Sequence, residues 1–141
     1  MTNTLPIDIT PSSFFTWTSG TKRKTLLSGY TERKRYEYNI AKLDSILNTT
    51  YENGVSFTDN HINYIKLLLL KIGKQPEVFP NGYGEIQLEY EINNKYLEIS
   101  ITAEKNMNIF KIDELGDEYG NDIYLPCELE KIKKEVAWIY E

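Results

Sequence analysis

The sequence predicts an α+β fold: an antiparallel meander of three to four strands packed against helices, two ahead of the sheet and one C-terminal to it. Three observations carry this. Apolar residues recur at helical spacing in two segments before residue 73 and in one after residue 126. Between them, Ile86, Leu88, Tyr90 and Ile92 alternate with Gln87, Glu89 and Glu91, the period-two signature of a strand with one buried face. Asn93-Asn94 then separates this run from a second alternating run through Leu97, Ile99 and Ile101, as a two-residue hairpin loop would.

Residues 1–31 read as an N-terminal arm. Pro6, Pro11, Gly20 and Gly29 punctuate it, and Ser and Thr fill much of the rest. It also holds Phe14, Phe15, Trp17 and Tyr30, and aromatics are uncommon in permanently disordered chain, so the arm is expected to dock on its own body or on a partner. Residues 32–141 read as a single α+β domain. Its first helix is expected over 32–48, with Thr31 as N-cap and Tyr36, Ile40, Leu43 and Leu47 on one face. Asn53-Gly54 marks a turn.

A second helix is expected over 59–72. Thr58 or Asp59 caps it, Ile62, Ile65, Leu68, Leu69 and Ile72 form its buried face, and Gly73 ends it. The run Leu67–Leu70 widens that face and predicts a helix sandwiched between two other elements. Val78 and Phe79 suit a short strand between Pro76 and Pro80, followed by a turn over Asn81–Gly84 and the hairpin. A further turn over Glu104–Asn108 leads to a strand at Ile109–Ile112, and then to an acidic loop over 113–122. Pro126 suits the first position of a C-terminal helix whose buried face is Leu129, Ile132, Val136 and Ile139.

The hairpin loop fixes an expected register: Ile92 opposite Lys95, Glu91 opposite Tyr96, Tyr90 opposite Leu97, and Glu89 opposite Glu98. Two carboxylates then face each other with Cβ atoms about 5 Å apart. Either water screens them on a solvated face, or Gln87, Glu89, Glu91, Tyr96 and Glu98 form an acidic, tyrosine-bearing surface for a basic partner. That partner is another protein or the chain's own basic clusters.

The charge distribution bears on this choice. The 141 residues carry a formal charge of −5. Residues 1–42 hold +4, concentrated in Lys22, Arg23, Lys24 and Arg33, Lys34, Arg35, whereas residues 43–141 hold −9. A basic arm on an acidic body suits nucleic acid, an acidic partner or the body itself. The single cysteine, Cys127, excludes an intramolecular disulfide framework, and the N-terminus lacks the pattern of a signal peptide, so a cytoplasmic setting is expected. The apolar stretch Ile62–Ile72 is too short for a membrane span and is interrupted by Lys66 and Lys71.

Catalytic signatures are sparse. Cys127 near a helix N-terminus and the one histidine, His61, are the available nucleophile and base, but neither lies in a recognised local signature. His61 falls in the first turn of the second helix, where surface polar residues are common. The loop 113–122 lacks the ligand spacing of an EF-hand, and no phosphate-cradling glycine motif occurs. No catalytic residue, metal or cofactor is assigned.

Four segments carry a resemblance: Thr50-Tyr51-Glu52-Asn53-Gly54, Pro76-Glu77-Val78-Phe79-Pro80, Gly84-Glu85-Ile86-Gln87-Leu88-Glu89-Tyr90 and Tyr96-Leu97-Glu98-Ile99. Over about half the chain it resembles a loosely related set of small bacterial proteins of no established activity. In those, Trp stands where Tyr51 and Tyr90 stand here, and Gly where Glu85 stands. The resemblance implies a helix–helix–meander core and a bacterial or phage setting.

Together these readings lead to a non-enzymatic protein-binding module that neutralises a partner by steric occlusion, of the antitoxin, immunity-protein or phage-inhibitor type. Its expected contacts are Phe14, Phe15 and Trp17, the clusters Lys22–Lys24 and Arg33–Arg35, and Glu89, Glu91, Tyr96 and Glu98. A nuclease or another nucleic-acid-binding effector is the kind of partner envisaged. The alternatives are a nucleic-acid-associated protein acting through the arm, and a small enzyme using His61 or Cys127.

Overall fold

A computed structural model of the chain describes residues 21–120 and 123–141. The chain divides into two units, Met1–Arg35 and Tyr36–Glu141. Among the described residues three helices and six strands follow in order: α1 (Thr21–Leu47), α2 (Asp59–Ile72), β1 (Glu77–Pro80), β2 (Ile86–Ile92), β3 (Lys95–Ile101), β4 (Asn106–Ile112), β5 (Glu118–Gly120), β6 (Leu125–Pro126) and α3 (Leu129–Ile139). The sheet is antiparallel with order β1-β2-β3-β4-β5, and β6 also pairs with β4. The architecture is α+β with two helices ahead of the sheet and one after it.

The β2–β3 hairpin organises the sheet. Asn93 and Asn94 take φ of 56° and 63°, the left-handed pair that a two-residue loop twisted with its strands requires. The resulting register is the one the loop predicts from Ile92↔Lys95 to Glu89↔Glu98, and it continues to Ile86↔Ile101. Ile86, Leu88, Tyr90, Leu97, Ile99, Ile101, Met107 and Ile109 therefore share one face and are buried. They form a single core with Leu43 and Ile46 of α1, Ile62, Ile65, Leu68 and Leu69 of α2, and Ile132, Val136 and Ile139 of α3.

Helix α2 begins and ends where its caps dictate. The Thr58 hydroxyl accepts from the His61 N–H at 3.2 Å, and Gly73, at φ 83°, donates its N–H to Leu69 O. Its apolar face is narrower than expected. Leu68 and Leu69 are buried, but Leu67 and Leu70 are 49% and 60% exposed, so α2 is covered on one side rather than sandwiched. His61 is also corrected: it is 2% exposed, not a surface residue, and its Nε2 lies 3.0 Å from Ile101 O.

A buried amide pair links α1 to the end of α2 and the start of β1. Asn39 Nδ2 donates to Gln75 Oε1 at 3.2 Å and to Pro76 O at 3.1 Å, while Gln75 Nε2 donates to Leu69 O at 2.9 Å and Gly73 O at 3.1 Å. Each donor thus has a partner, which buried amides require. Helix α3 docks by its Ile132–Val136–Ile139 face and by Lys95, whose ammonium donates to Trp138 O at 2.8 Å. A cation there complements the negative end of the helix dipole.

Several boundaries differ from expectation. Helix α1 covers Thr21–Leu47 of the described residues, so Thr31 lies inside it and is not its cap. The Lys, Arg, Leu and Glu residues of 22–35 are good helix formers, and together they outweigh Gly29, which costs about 1 kcal/mol in a helix interior. Strand β4 begins at Asn106, earlier than the expected Ile109, because Lys105 at φ 67° closes a tight turn in which it donates its N–H to Thr102 O. The loop 113–122 carries β5, and Pro126 lies in β6 opposite Asn106 rather than at a helix N-terminus. A proline suits such an edge position, where its missing N–H costs no ladder bond.

The turn geometry yields a direct test. Asn94→Val should destabilise the domain by about 1–2 kcal/mol, because a β-branched residue is forced left-handed, whereas Asn94→Gly should be neutral or stabilising. Urea denaturation of both variants checks this.

Candidate functional site: an acidic sheet face

The sheet register decides what the second face carries. Alternation turns Glu77, Phe79, Gln87, Glu89, Glu91, Tyr96, Glu98, Ser100, Asn108 and Phe110 away from the core residues between them. The pairings order them into rows across the strands. One row runs Glu77–Glu89–Glu98–Phe110–Gly120, the next Glu91–Tyr96–Ile112–Glu118, and a third Phe79–Gln87–Ser100–Asn108. Strands lie about 4.8 Å apart, so the carboxylates of a row are near neighbours. Sequence reading found Glu89, Glu91, Tyr96 and Glu98 and missed Glu77, because the β1–β2 register follows from the longer loop 81–85 and not from a two-residue turn.

The opposed pair Glu89 and Glu98 is treated unequally. Tyr96 donates its hydroxyl to Glu98 Oε1 at 2.8 Å, and Gln87 donates Nε2 to Glu98 Oε2 at 3.1 Å, so both Glu98 oxygens are satisfied. Glu89 bears the strain. Partial burial, then the charge of Glu98, push its carboxyl above the ordinary range, against a lowering by Tyr96 and with smaller raising effects from Glu77 and Glu91. Burial also raises the Tyr96 phenol, reinforced by its bond to Glu98 and by the charges of Glu98 and Glu89. Tyr96 therefore stays a neutral donor between two carboxylates. Its ring packs edge-on to Phe110, with centroids 6.4 Å apart.

Lys42 of α1 offsets part of this charge. Its ammonium lies 4.3 Å from the Phe79 ring centroid. Burial lowers its pKa, opposed by the charges of Glu77 and Glu89. At the β6 end, Tyr124 donates its hydroxyl to Glu85 Oε2, and Asn81 Nδ2 donates to Glu85 Oε1 at 2.7 Å. The Tyr124–Glu85 bond, together with burial and the charge of Glu85, pushes the Tyr124 phenol up to about 12. Asn108 Oδ1 is buried on this face without a hydrogen-bond partner among the described residues.

The remaining sequence candidates are dispersed. Phe14, Phe15 and Trp17 lie outside the described residues. Lys22, Arg23 and Lys24 fall on the first turns of α1, and Arg33, Lys34 and Arg35 further along it. Arg33 and Lys34 are exposed and Arg35 is half-buried. Cys127 precedes α3 by two residues and its thiol is pushed up by burial, the reverse of an activated thiolate. Its hydrogen-bond partner is Tyr64, while the His61 ring bonds the Ile101 carbonyl. Asp113 uses its carboxylate inside the β4–β5 loop, accepting from the N–H groups of Leu115 and Asp117 at 3.0 Å and from Tyr119 at 3.1 Å. The Asp117 bond is the main cause holding its carboxyl below the usual range. Among the described residues, no three His, Cys, Asp or Glu side chains converge on a metal position, and no helix is long and apolar enough to cross a membrane.

No family model, curated protein or solved structure matches this chain.

The unequal carboxylates make a testable point. A Glu whose folded pKa is raised destabilises the fold when ionised; that cost is relieved as pH falls through the raised value and is gone below the unfolded value near 4.5. Glu89→Gln should therefore raise the urea midpoint at pH 7, with the gain closing as pH approaches 4.5. A variant less stable than wild type at pH 7 would contradict this.

Proposed function

We propose that the chain is a non-enzymatic protein-binding module that inhibits or neutralises a partner by covering a basic surface, as an antitoxin, immunity protein or phage-encoded inhibitor does. The observation that carries this reading is the composition of the second sheet face: Glu77, Glu89, Glu91, Glu98 and Glu118 in two adjoining rows, with Phe79, Tyr96 and Phe110 among them. Aromatic side chains supply contact area, and aligned carboxylates supply complementarity to Arg and Lys. The face already carries a cost, since Glu89 is ionised only against burial and a neighbouring charge. An incoming cation would relieve it. A basic nuclease, or another effector that binds nucleic acid, presents the complementary surface. The proposed setting is the cytoplasm of a bacterium or of a phage-infected cell, in keeping with the resemblance of the hairpin segments.

One observation favours a second reading. Lys22–Lys24 and Arg33–Arg35 fall within a single helix, α1, and clustered basic residues suit a phosphate backbone.

Glu77 and Glu91 are exposed and take no part in the bonds that Gln87 and Tyr96 donate to Glu98, so reversing their charge leaves those bonds in place. Immobilised wild-type chain should retain a basic protein from a bacterial lysate, and Glu77→Lys/Glu91→Lys should retain it at least about tenfold less. Retention unaffected by both the reversal and added salt would contradict the proposal. If labelled DNA binds at low salt and is lost on Arg33→Ala/Lys34→Ala, the second reading takes its place.

A further inference from the structure

We infer that His61 is an acid-sensitive latch between the N-terminus of α2 and the end of β3: neutral, it holds the two together, and protonated, it loosens them. This goes beyond the proposed partner binding and does not depend on it. Three features of the geometry support the inference. The ring is 2% exposed and packs 5.7 Å from the Phe57 ring, so its cation would lose most of its hydration. Its backbone N–H is the one capped by Thr58, which places the imidazole in the first turn of α2, where the helix dipole opposes positive charge. The ring's hydrogen-bond partner is the Ile101 carbonyl, which the neutral Nε2–H tautomer already satisfies, so protonation adds no bond there.

The surrounding charges do not reverse this. Glu104 on the β3–β4 turn favours the cation, but burial outweighs it and the Ile101 bond together, and the imidazole sits below its ordinary value. Lys105 on the same turn lies 5.0 Å over the Tyr64 ring of α2, Tyr64 bonds the Cys127 thiol, and Asp59 lies two residues earlier in the first turn of α2. With the folded pKa lowered, the latch contributes in full above the unfolded value near 6.5. Its contribution falls as pH drops from there to the folded value, and then levels off.

The test compares the full chain with His61→Gln, whose amide keeps a donor for Ile101 O and cannot ionise. Wild type should lose urea midpoint relative to the variant between pH 7.5 and 5, and NMR titration of the wild-type imidazole should give a pKa below 6.5. The NMR measurement stands even if the variant fails to fold. A ring that titrates at or above 6.5, or two proteins whose midpoints run parallel with pH, would overturn the inference.

Discussion

Register in the β2–β3 hairpin is the constraint on which the rest of the domain depends. A slip of one residue would carry Leu88, Tyr90, Leu97 and Ile99 to the face now occupied by Glu89, Glu91, Glu98 and Ser100. The core would then be built of carboxylates. Two left-handed asparagines prevent this, because a two-residue loop leaves no slack for the strands to shift. Every later feature inherits that choice. The apolar face receives α2 and α3, and Lys95, the first residue after the loop, reaches the carbonyl end of α3.

The same register concentrates acid. Strand alternation has no means of spreading charge once one face is committed to the core, so the glutamates of β1, β2 and β3 gather in rows. The chain meets this with local donors. Tyr96 and Gln87 satisfy Glu98 fully, Lys42 stands near Glu77 and Glu89, and Tyr124 and Asn81 hold Glu85. Glu89 remains the least accommodated. A carboxylate held above its ordinary range among aromatic rings is the physical basis of the proposed partner binding.

Much of this was legible in the sequence where a local rule acts alone. The period-two run, the Asn93-Asn94 loop and the Thr58 and Gly73 caps each determine backbone geometry within a few residues, and all are found where the pattern puts them. What escaped depends on tertiary context. His61 reads as a surface residue of a first turn until β3 brings the Ile101 carbonyl over it. Asn39 and Gln75 are far apart in sequence and give no sign of their pairing. The part of α1 before Thr31 gives no periodic signal, because residues 21–31 carry helix propensity without an apolar period. Strands β5 and β6 are too short to show alternation and exist only because β4 offers them an edge. Leu67 and Leu70 show the opposite error: an apolar run widened the expected buried face, and the fold left part of it exposed. Of the acidic face, the β2–β3 part followed from the hairpin, whereas Glu77 and Phe79 joined it through a longer connection whose register no short-range rule sets.

The most direct measurement of the central claim is paired-cysteine cross-linking across the hairpin in a Cys127→Ser background. Opposed residues on adjacent strands lie within the Cα separation a disulfide spans, about 4.4–6.8 Å. Glu89→Cys/Glu98→Cys should oxidise readily to a cross-linked monomer, and Glu89→Cys/Leu97→Cys, whose side chains leave opposite faces of the sheet, should not. Equal cross-linking of the two pairs, or a Glu89→Cys/Glu98→Cys protein that stays reduced, would contradict the register and with it the acidic face.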